Sequence, residues 1–275
     1  MPNDHAPASA AISARYGAQM PELPHWNETL AVLMEHRSVR AYTSQPLPPG
    51  TVETLAAAAQ SAATSSNLQT WSLLAVQDAA LKAKLAALAN DQKQILEAPL
   101  QLLFLADLSR TARMGAARGR TMEALPYTEA AMLAMIDASL AAQNATIAAE
   151  SLGLGTCYIG SMRNHPEAMA ELLGLPEHCV AVFGLCVGWP DPTRASPIRP
   201  RLPQEVVLHR ERYSTEAEAA GIEAYEARLT DYQARAGMGQ VGWLSRVFDR
   251  LGIAKGLGER QRMKAALAAR GFPLE

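Results

Sequence analysis

TEAAMLAMIDASLAAQNATIAAESL, residues 128–152, is the stretch on which the reading of the fold turns. Met132, Met135, Ile136, Leu140, Ile147 and Leu152 make one apolar stripe at helical spacing. Ala131, Ala134, Ala138, Ala141, Ala142, Ala145, Ala148 and Ala149 set small surfaces around it, and Gly153-Leu154-Gly155 stops the pattern. At about 1.5 Å of rise per residue, the helix spans a whole domain. A helix so small-sided nearly all round has to be covered on most faces. Two arrangements meet that demand: a central core helix of a monomer, or a helix covered in part by a second subunit.

Around this helix the pattern alternates between short apolar runs and amphipathic segments. Leu100–Ala106 and Val180–Val187 are continuous apolar runs, the mark of buried central strands. Trp71–Val76 and Thr156–Ile159 are further strand candidates, and Val206-Val207-Leu208 reads as an edge strand. Helices are expected after Asn27 and Asp78 as caps, over Thr51–Ala62, and from Asn164 and Pro166 to Gly174. Thr215 with Glu218 reads as a capping box that opens a helix to about Ala234. After the break at Gly237-Met238-Gly239, Trp243–Leu251 and Gly258–Ala269 close the chain as helices. Ser109–Arg120, with Arg110, Arg113, Arg118 and Arg120, reads as a mobile surface loop. The residues up to Pro24, rich in alanine and proline, read as a flexible lead-in.

Composition bounds the chemistry. With 275 residues and 49% hydrophobic side chains the chain can bury a sizeable core. A net charge of −2 recruits neither nucleic acid nor an anionic membrane. No apolar run is long enough to span a membrane. Cys157, Cys179 and Cys186 are an odd number without a CxxC pair, so buried inert thiols in a reducing compartment are expected. The six histidines form no HExxH, and neither a GxSxG elbow nor a Walker loop occurs. Gly153, Gly155 and Gly160 follow a helix at the wrong spacing for a dinucleotide fingerprint.

What remains is cationic and small-polar. His36-Arg37-Ser38-Val39-Arg40 gathers two guanidiniums, an imidazole and a hydroxyl at a helix end. Ile198-Arg199-Pro200-Arg201-Leu202-Pro203 holds two more guanidiniums in a stiff, proline-fenced backbone. Thr64-Ser65-Ser66-Asn67-Leu68-Gln69-Thr70 precedes a strand, a usual place for a binding loop. Taken singly, each reads as a solvated basic corner or an ordinary turn. Together they suit a phosphorylated cofactor that carries the reactive chemistry itself.

The chain resembles the flavin-dependent nitroreductase family, in its oxygen-insensitive major nitroreductase and NADPH-flavin oxidoreductase branch. The matching segments are His36–Arg40, Ser65-Ser66 with Leu68-Gln69, and Gln92-Lys93. Gln143–Gly155, Tyr158–Asn164, Phe183–Pro190 and Pro200–Pro203 continue the match, with His209 and Tyr213 downstream. The resemblance implies an α+β, three-layer fold with a central, mainly antiparallel sheet flanked by helices. It implies a homodimer with exchanged segments and the long helix as its spine. It further implies FMN as cofactor, NADPH or NADH as electron donor, and nitroaromatics, quinones or free flavin as acceptors. Residues 1–25 would be a flexible extension, 26–236 the FMN-binding domain, and 237–275 a helical extension packing on it.

By the same resemblance, His36, Arg37 and Ser38 with Arg199 and Arg201 meet the phosphate and ribityl chain. Arg40 and Gln92 face the ring. Thr64, Ser65, Ser66 and Gln69 line the ribityl or ring side. Tyr158, Ile159, Gly160 and Ser161 bring the strand end and backbone groups near flavin N5. Cytoplasmic small-molecule chemistry is expected, without nucleic acid, membrane or metal. The sequence departs from the family just before Trp243, where Gly239-Gln240-Val241-Gly242 stands in place of an arginine pair. That departure leaves NADPH against NADH open. It also motivates an alternative, a flavin-binding module for storage or sensing without turnover.

Overall fold

The computed structural model describes residues 9–17, 21, 23–194 and 196–275. Its strands are β1 Trp71–Val76, β2 Leu100–Asp107, β3 Gly155–Ile159 and β4 Cys179–Gly188. Its helices are α1 Ser9–Tyr16, α2 Glu28–Glu35, α3 Thr51–Gln60, α4 Ala79–Leu88, α5 Lys93–Glu97 and α6 Ser109–Ala116. They continue as α7 Thr128–Ser151, α8 Pro166–Leu173, α9 Gln204–Val207, α10 Glu218–Arg235, α11 Trp243–Leu251 and α12 Met263–Ala268. The chain divides into two compact units, Ser38–Ala195 with Gly258–Glu275, and Met1–Arg37 with Ser196–Leu257.

The larger unit is built on one four-stranded sheet in the order β1-β2-β4-β3, antiparallel throughout. Every residue of β2 is buried, including the polar Gln101 and Asp107, so the run expected to be continuously apolar is interrupted at Gln101. Successive side chains point to opposite faces. Leu100, Leu102, Phe104 and Ala106 pack with Leu55 and Ala59 of α3 and the alanines of α7. Leu103 and Leu105 pack on the other side with Leu85 of α4, Ile95 of α5 and Met169 of α8. The result is the expected α+β sandwich of helices, antiparallel sheet and helices.

Helix α7 uses its two sizes of apolar residue differently. Ala131, Ala134, Ala138, Ala141, Ala142, Ala145 and Ala149 are buried on the core side. Met132, Ile136 and Leu140, at i, i+4 and i+8, are 51%, 53% and 43% exposed. One carboxylate sits on the buried face. Asp137 is 2% exposed and holds the loop ahead of β1. Its Oδ2 accepts from the Thr64 hydroxyl at 2.8 Å, the Thr70 hydroxyl at 3.0 Å and the Thr70 N–H at 3.1 Å. Its Oδ1 accepts from the Ser65 N–H at 3.0 Å.

In the smaller unit, Tyr225, Leu229 and Tyr232 of α10 form a core with Leu202, Ala236 and Trp243. The Glu226 carboxylate caps α11, accepting the N–H groups of Trp243 at 2.7 Å and Leu244 at 3.0 Å.

Several local expectations are corrected. Val206–Leu208 is not an edge strand, because Gln204–Val207 turns once as α9 after Pro203, whose carbonyl accepts the Val206 N–H. Ser109–Arg120 is not a loop throughout, because Ser109–Ala116 is helical and its start is pinned by Asp107, which accepts the Ser109 N–H at 2.9 Å. Glu218 is the first residue of α10 and not its third, so no capping box forms with Thr215. His165, not Asn164, stands at the start of α8, and the Asn164 amide donates to Asn90 at 3.0 Å. The last helix is short because Gly258, at φ +62°, interrupts the 254–262 segment. The expected flexible lead-in is helical over Ser9–Tyr16; residues 1–8, 18–20 and 22 lie outside the described residues.

Asp137→Ala would leave four donors of the 64–70 loop without their acceptor, two of them on buried Thr70. It is expected to cost about 3 kcal/mol in urea unfolding, because each donor loses its acceptor. Asp137→Asn, which keeps one acceptor oxygen, should cost less. An unchanged midpoint in both variants would show that the loop is held by other means.

Candidate functional site

In the larger unit most of the expected residues gather along β3. Ser38 bridges Thr156 in parallel register, and the Val39 N–H donates to the Thr156 carbonyl at 2.8 Å. This docking requires Gly155. A Cβ there would lie 2.7 Å from Val39 Cγ2, and Val39 is buried. Arg40 follows with its guanidinium exposed, Nη1 donating to the Ser38 carbonyl at 3.3 Å. Its charge offsets part of the rise that burial imposes on the Cys157 thiol.

At the other end of β3, Ile159 is buried and Tyr158 lies partly open. The Tyr158 ring stands edge-on to Phe183 at 5.1 Å, and its hydroxyl bonds Thr146 of α7 at 3.0 Å. Gly160–Arg163 forms a 3-10 turn. The Gln92 side-chain amide donates to the Ser161 hydroxyl at 2.5 Å, and that hydroxyl donates to the Ala89 carbonyl at 3.1 Å. Gln92 and Ser161 are thus brought together, with the Ser161 hydroxyl committed within the protein.

The 64–69 loop is the second element. Ser66, Asn67 and Gln69 take positive φ of 47°, 55° and 53°, a backbone that non-glycine residues adopt only when it is held. Asp137 does the holding from α7. The Thr64 hydroxyl donates to Asp137 and accepts the Gln69 N–H at 2.9 Å, so it shapes the loop. Arg110 donates to the Gln69 carbonyl at 3.0 Å and to the Trp71 carbonyl at 3.3 Å. Ser65 and Ser66 turn their exposed side chains outward.

In the smaller unit, His36 caps the C-terminus of α2, Arg37 is exposed, and Arg199 and Arg201 lie exposed on either side of buried Pro200. The main chain of this strap is fixed. The Arg199 carbonyl accepts from Arg15, the Arg201 N–H donates to the Arg15 carbonyl at 2.9 Å, and the Arg201 carbonyl accepts from Arg228 at 2.9 Å. The Pro200 carbonyl accepts from the Tyr225 hydroxyl at 3.4 Å. Burial raises the Tyr225 pKa, against the charges of Arg201, Arg199 and Arg228 around it.

Taken unit by unit, these donors are of the kinds that FMN uses. Exposed guanidiniums on a stiff backbone suit a phosphate ester, and exposed serines with a glycine turn suit a polar chain and a flat ring. Among the described residues no group of three metal-ligating side chains comes together. The cysteines are free and buried, and burial pushes the Cys179 thiol up to about 12, so none is a ready nucleophile. Sequence reasoning missed Asp137 and Arg15. The available signal was a single charge in an otherwise apolar helical face: Asp137 beside Ala134, Ala138 and Ala141, and Arg15 after Ala11 and Ile12.

Comparison with known proteins agrees with this reading. Residues 33–189 match the family model described as "Nitroreductase family", and residues 199–275 match "Nitroreductase family, C-terminal domain". The chain is 38% identical over 209 residues to the FMN reductase (NADPH) of Bacillus subtilis, covering 75% of this chain and 83% of the relative. It is 37% identical over 204 residues to the oxygen-insensitive NADPH nitroreductase of Salmonella typhimurium, covering 74% and 82%. The solved structure of NfrA2 from B. megaterium superposes with a TM-score of 0.84 at 35% identity, covering 91% of this chain and all of that one (100%). The NADPH:FMN oxidoreductase of Vibrio harveyi, solved with NAD+, gives 0.79 at 30% identity, covering 90% and 100%. The layered antiparallel fold and these matches have one meaning: the chain belongs to the nitroreductase family.

Proposed function

We propose that this protein is an FMN-dependent oxidoreductase that takes hydride from NAD(P)H and passes it to nitroaromatics, quinones or free flavin in an alternating cycle. The observation that carries the reading is the pair Arg199 and Arg201, exposed on a strap whose carbonyls and N–H are tied down. Such a fork is built for a phosphate ester. The relatives are named as enzymes, which favours turnover over storage.

The bound flavin would supply the centre that accepts and donates hydride. The chain's own residues bind and tune it. Arg199 and Arg201, with His36, Arg37 and Ser38, hold the phosphate and ribityl chain. Ser65, Ser66 and Gln69 give polar contacts from a loop whose shape Thr64 and Asp137 set. Tyr158, Ile159, Gly160 and Ser161 offer an edge on which the ring can rest, with Gln92 fixed on Ser161. Arg40 would hold a positive charge towards the ring, favouring negative charge there without a protein acid.

The outer face of α7 supports a homodimer. A contiguous stripe of Met132, Ile136 and Leu140 is unusual on a monomer. Asp137, which holds the loop, and Thr146, which holds Tyr158, are nine residues apart, so about 13 Å along the helix. A second copy across this stripe would bring a loop of one subunit towards the β3 end of the other.

Purified protein should be yellow, and its flavin band should bleach with NADPH or NADH under argon and return on adding a nitroarene or quinone. Protein that stays colourless after mixing with FMN sinks the reading. Arg199→Ala combined with Arg201→Ala should weaken FMN binding about 100-fold, the worth of two charge-assisted hydrogen bonds; an unchanged flavin content contradicts the phosphate assignment. Ile136→Asp should give a monomer by light scattering and release FMN, whereas an intact dimer would place the interface elsewhere.

A further inference from the structure

Helix α1, Ser9–Tyr16, lies ahead of both stretches that match the family models, and the proposed chemistry makes no use of it. It is nevertheless packed, with Ala11, Ile12 and Arg15 only 5%, 2% and 5% exposed. A guanidinium carries five donors and no acceptor, so burial obliges it to find oxygens. Arg15 finds three main-chain carbonyls in two distant segments. Its Nε donates to Met34 at 3.0 Å and its Nη2 to His36, the last turn and the cap of α2. Its Nη1 donates to Arg199 at 3.4 Å.

The contact is returned through the backbone. The Arg15 carbonyl accepts the Arg201 N–H at 2.9 Å. One residue on, the Tyr16 carbonyl accepts from Arg228 Nη1, while Arg228 Nη2 holds the Arg201 carbonyl at 2.9 Å. The end of α1 therefore ties the His36 segment to both arginines of the strap. All of these bonds lie inside the smaller unit. A cation at the C-terminus of α2 also suits the negative end of its dipole.

We infer that Arg15 is a positioning residue for the phosphate grip of Arg199 and Arg201, an inference that rests on the FMN reading above. Long side chains lose conformational freedom when they close on a ligand, and a backbone fixed beforehand reduces that loss. Arg15 spends its own donors on carbonyls, so it acts through the strap and not on the ligand. A purely stabilising α1 would behave differently. Its loss would lower the unfolding temperature without changing how well the protein tells a phosphorylated flavin from an unphosphorylated one.

FMN and riboflavin differ only in the phosphate, so their affinity ratio reads the grip directly. The test uses the full chain, with Arg15→Ala and Arg15→Lys, and measures dissociation constants for both ligands by quenching of flavin fluorescence below the unfolding temperature. In Arg15→Ala the FMN constant should rise about tenfold while that for riboflavin holds. Arg15→Lys, which can keep one carbonyl, should fall between wild type and Arg15→Ala. Equal weakening of both ligands, or no change in either, overturns the inference. If Arg15→Ala does not fold, the FMN-to-riboflavin ratio in Arg15→Lys decides alone. Wild-type protein that shows no preference for FMN removes the phosphate grip itself, and the FMN reading falls with it. Wild type that prefers FMN, with variants that keep the full preference, removes only the role of Arg15.

Discussion

The Asp137 carboxylate lies in the buried face of α7, among alanines, and burying such a charge costs far more than burying a methyl group. It is tolerated because all four of its neighbours are donors: two hydroxyls and two main-chain N–H groups. An acceptor-only group is the one side chain that satisfies them all. The consequence reaches past local stability. The loop it holds has three non-glycine residues in left-handed conformations, each of which would relax if released. Strain at the loop is thus offset by bonds to a rigid helix, and Ser65 and Ser66 are presented in one arrangement.

The same helix fixes the other end of the larger unit's site. Thr146 bonds Tyr158, Glu150 accepts from Thr156, and Asn144 donates to the Ala58 carbonyl near the end of α3. Polar residues at intervals along α7 thereby set the sheet edge and the loop against a single straight reference. The alanines between them let the helix lie close on β2 and β4, which keeps those bonds short. Larger residues on that face would force the helix away and break the register.

The parts legible in the sequence were those whose signal is local. β4 is an unbroken apolar run and β2 is one but for Gln101 and its last residue Asp107, and burial on both faces produces that pattern directly. The caps at Asn27 and Asp78 hold because each accepts an N–H three residues on, at 2.9 Å and 2.7 Å. The misreadings had a shared cause. Val206-Val207-Leu208 is β-like in composition, but four residues after a proline can complete a helical turn more cheaply than an unpaired strand. The Ser109–Ala116 helix depends on Asp107, which the loop reading left out. Asp137 and Arg15 were not legible as site residues, since their partners are 67 to 73 and 19 to 184 residues away.

The arginines divide by what their neighbours leave available to them. Arg15, Arg110, Arg228 and Arg270 each donate to two or more main-chain carbonyls far from themselves in sequence, those of Arg15 and Arg228 in two separate segments, and these act as cross-links in place of disulfides. Arg37, Arg40 and Arg201 bond carbonyls no more than two residues away, and these three and Arg199 are exposed. Cations of the first kind remove freedom from the chain, and those of the second kind present charge from positions the first kind has fixed. A net charge near zero conceals this division, because it counts both kinds alike. Exposed arginines on a loose segment would be a solvated basic patch. On a strap that is tied at the Arg199 carbonyl and at the Arg201 N–H and carbonyl, the same side chains start from a fixed backbone, which is what the proposed phosphate grip requires.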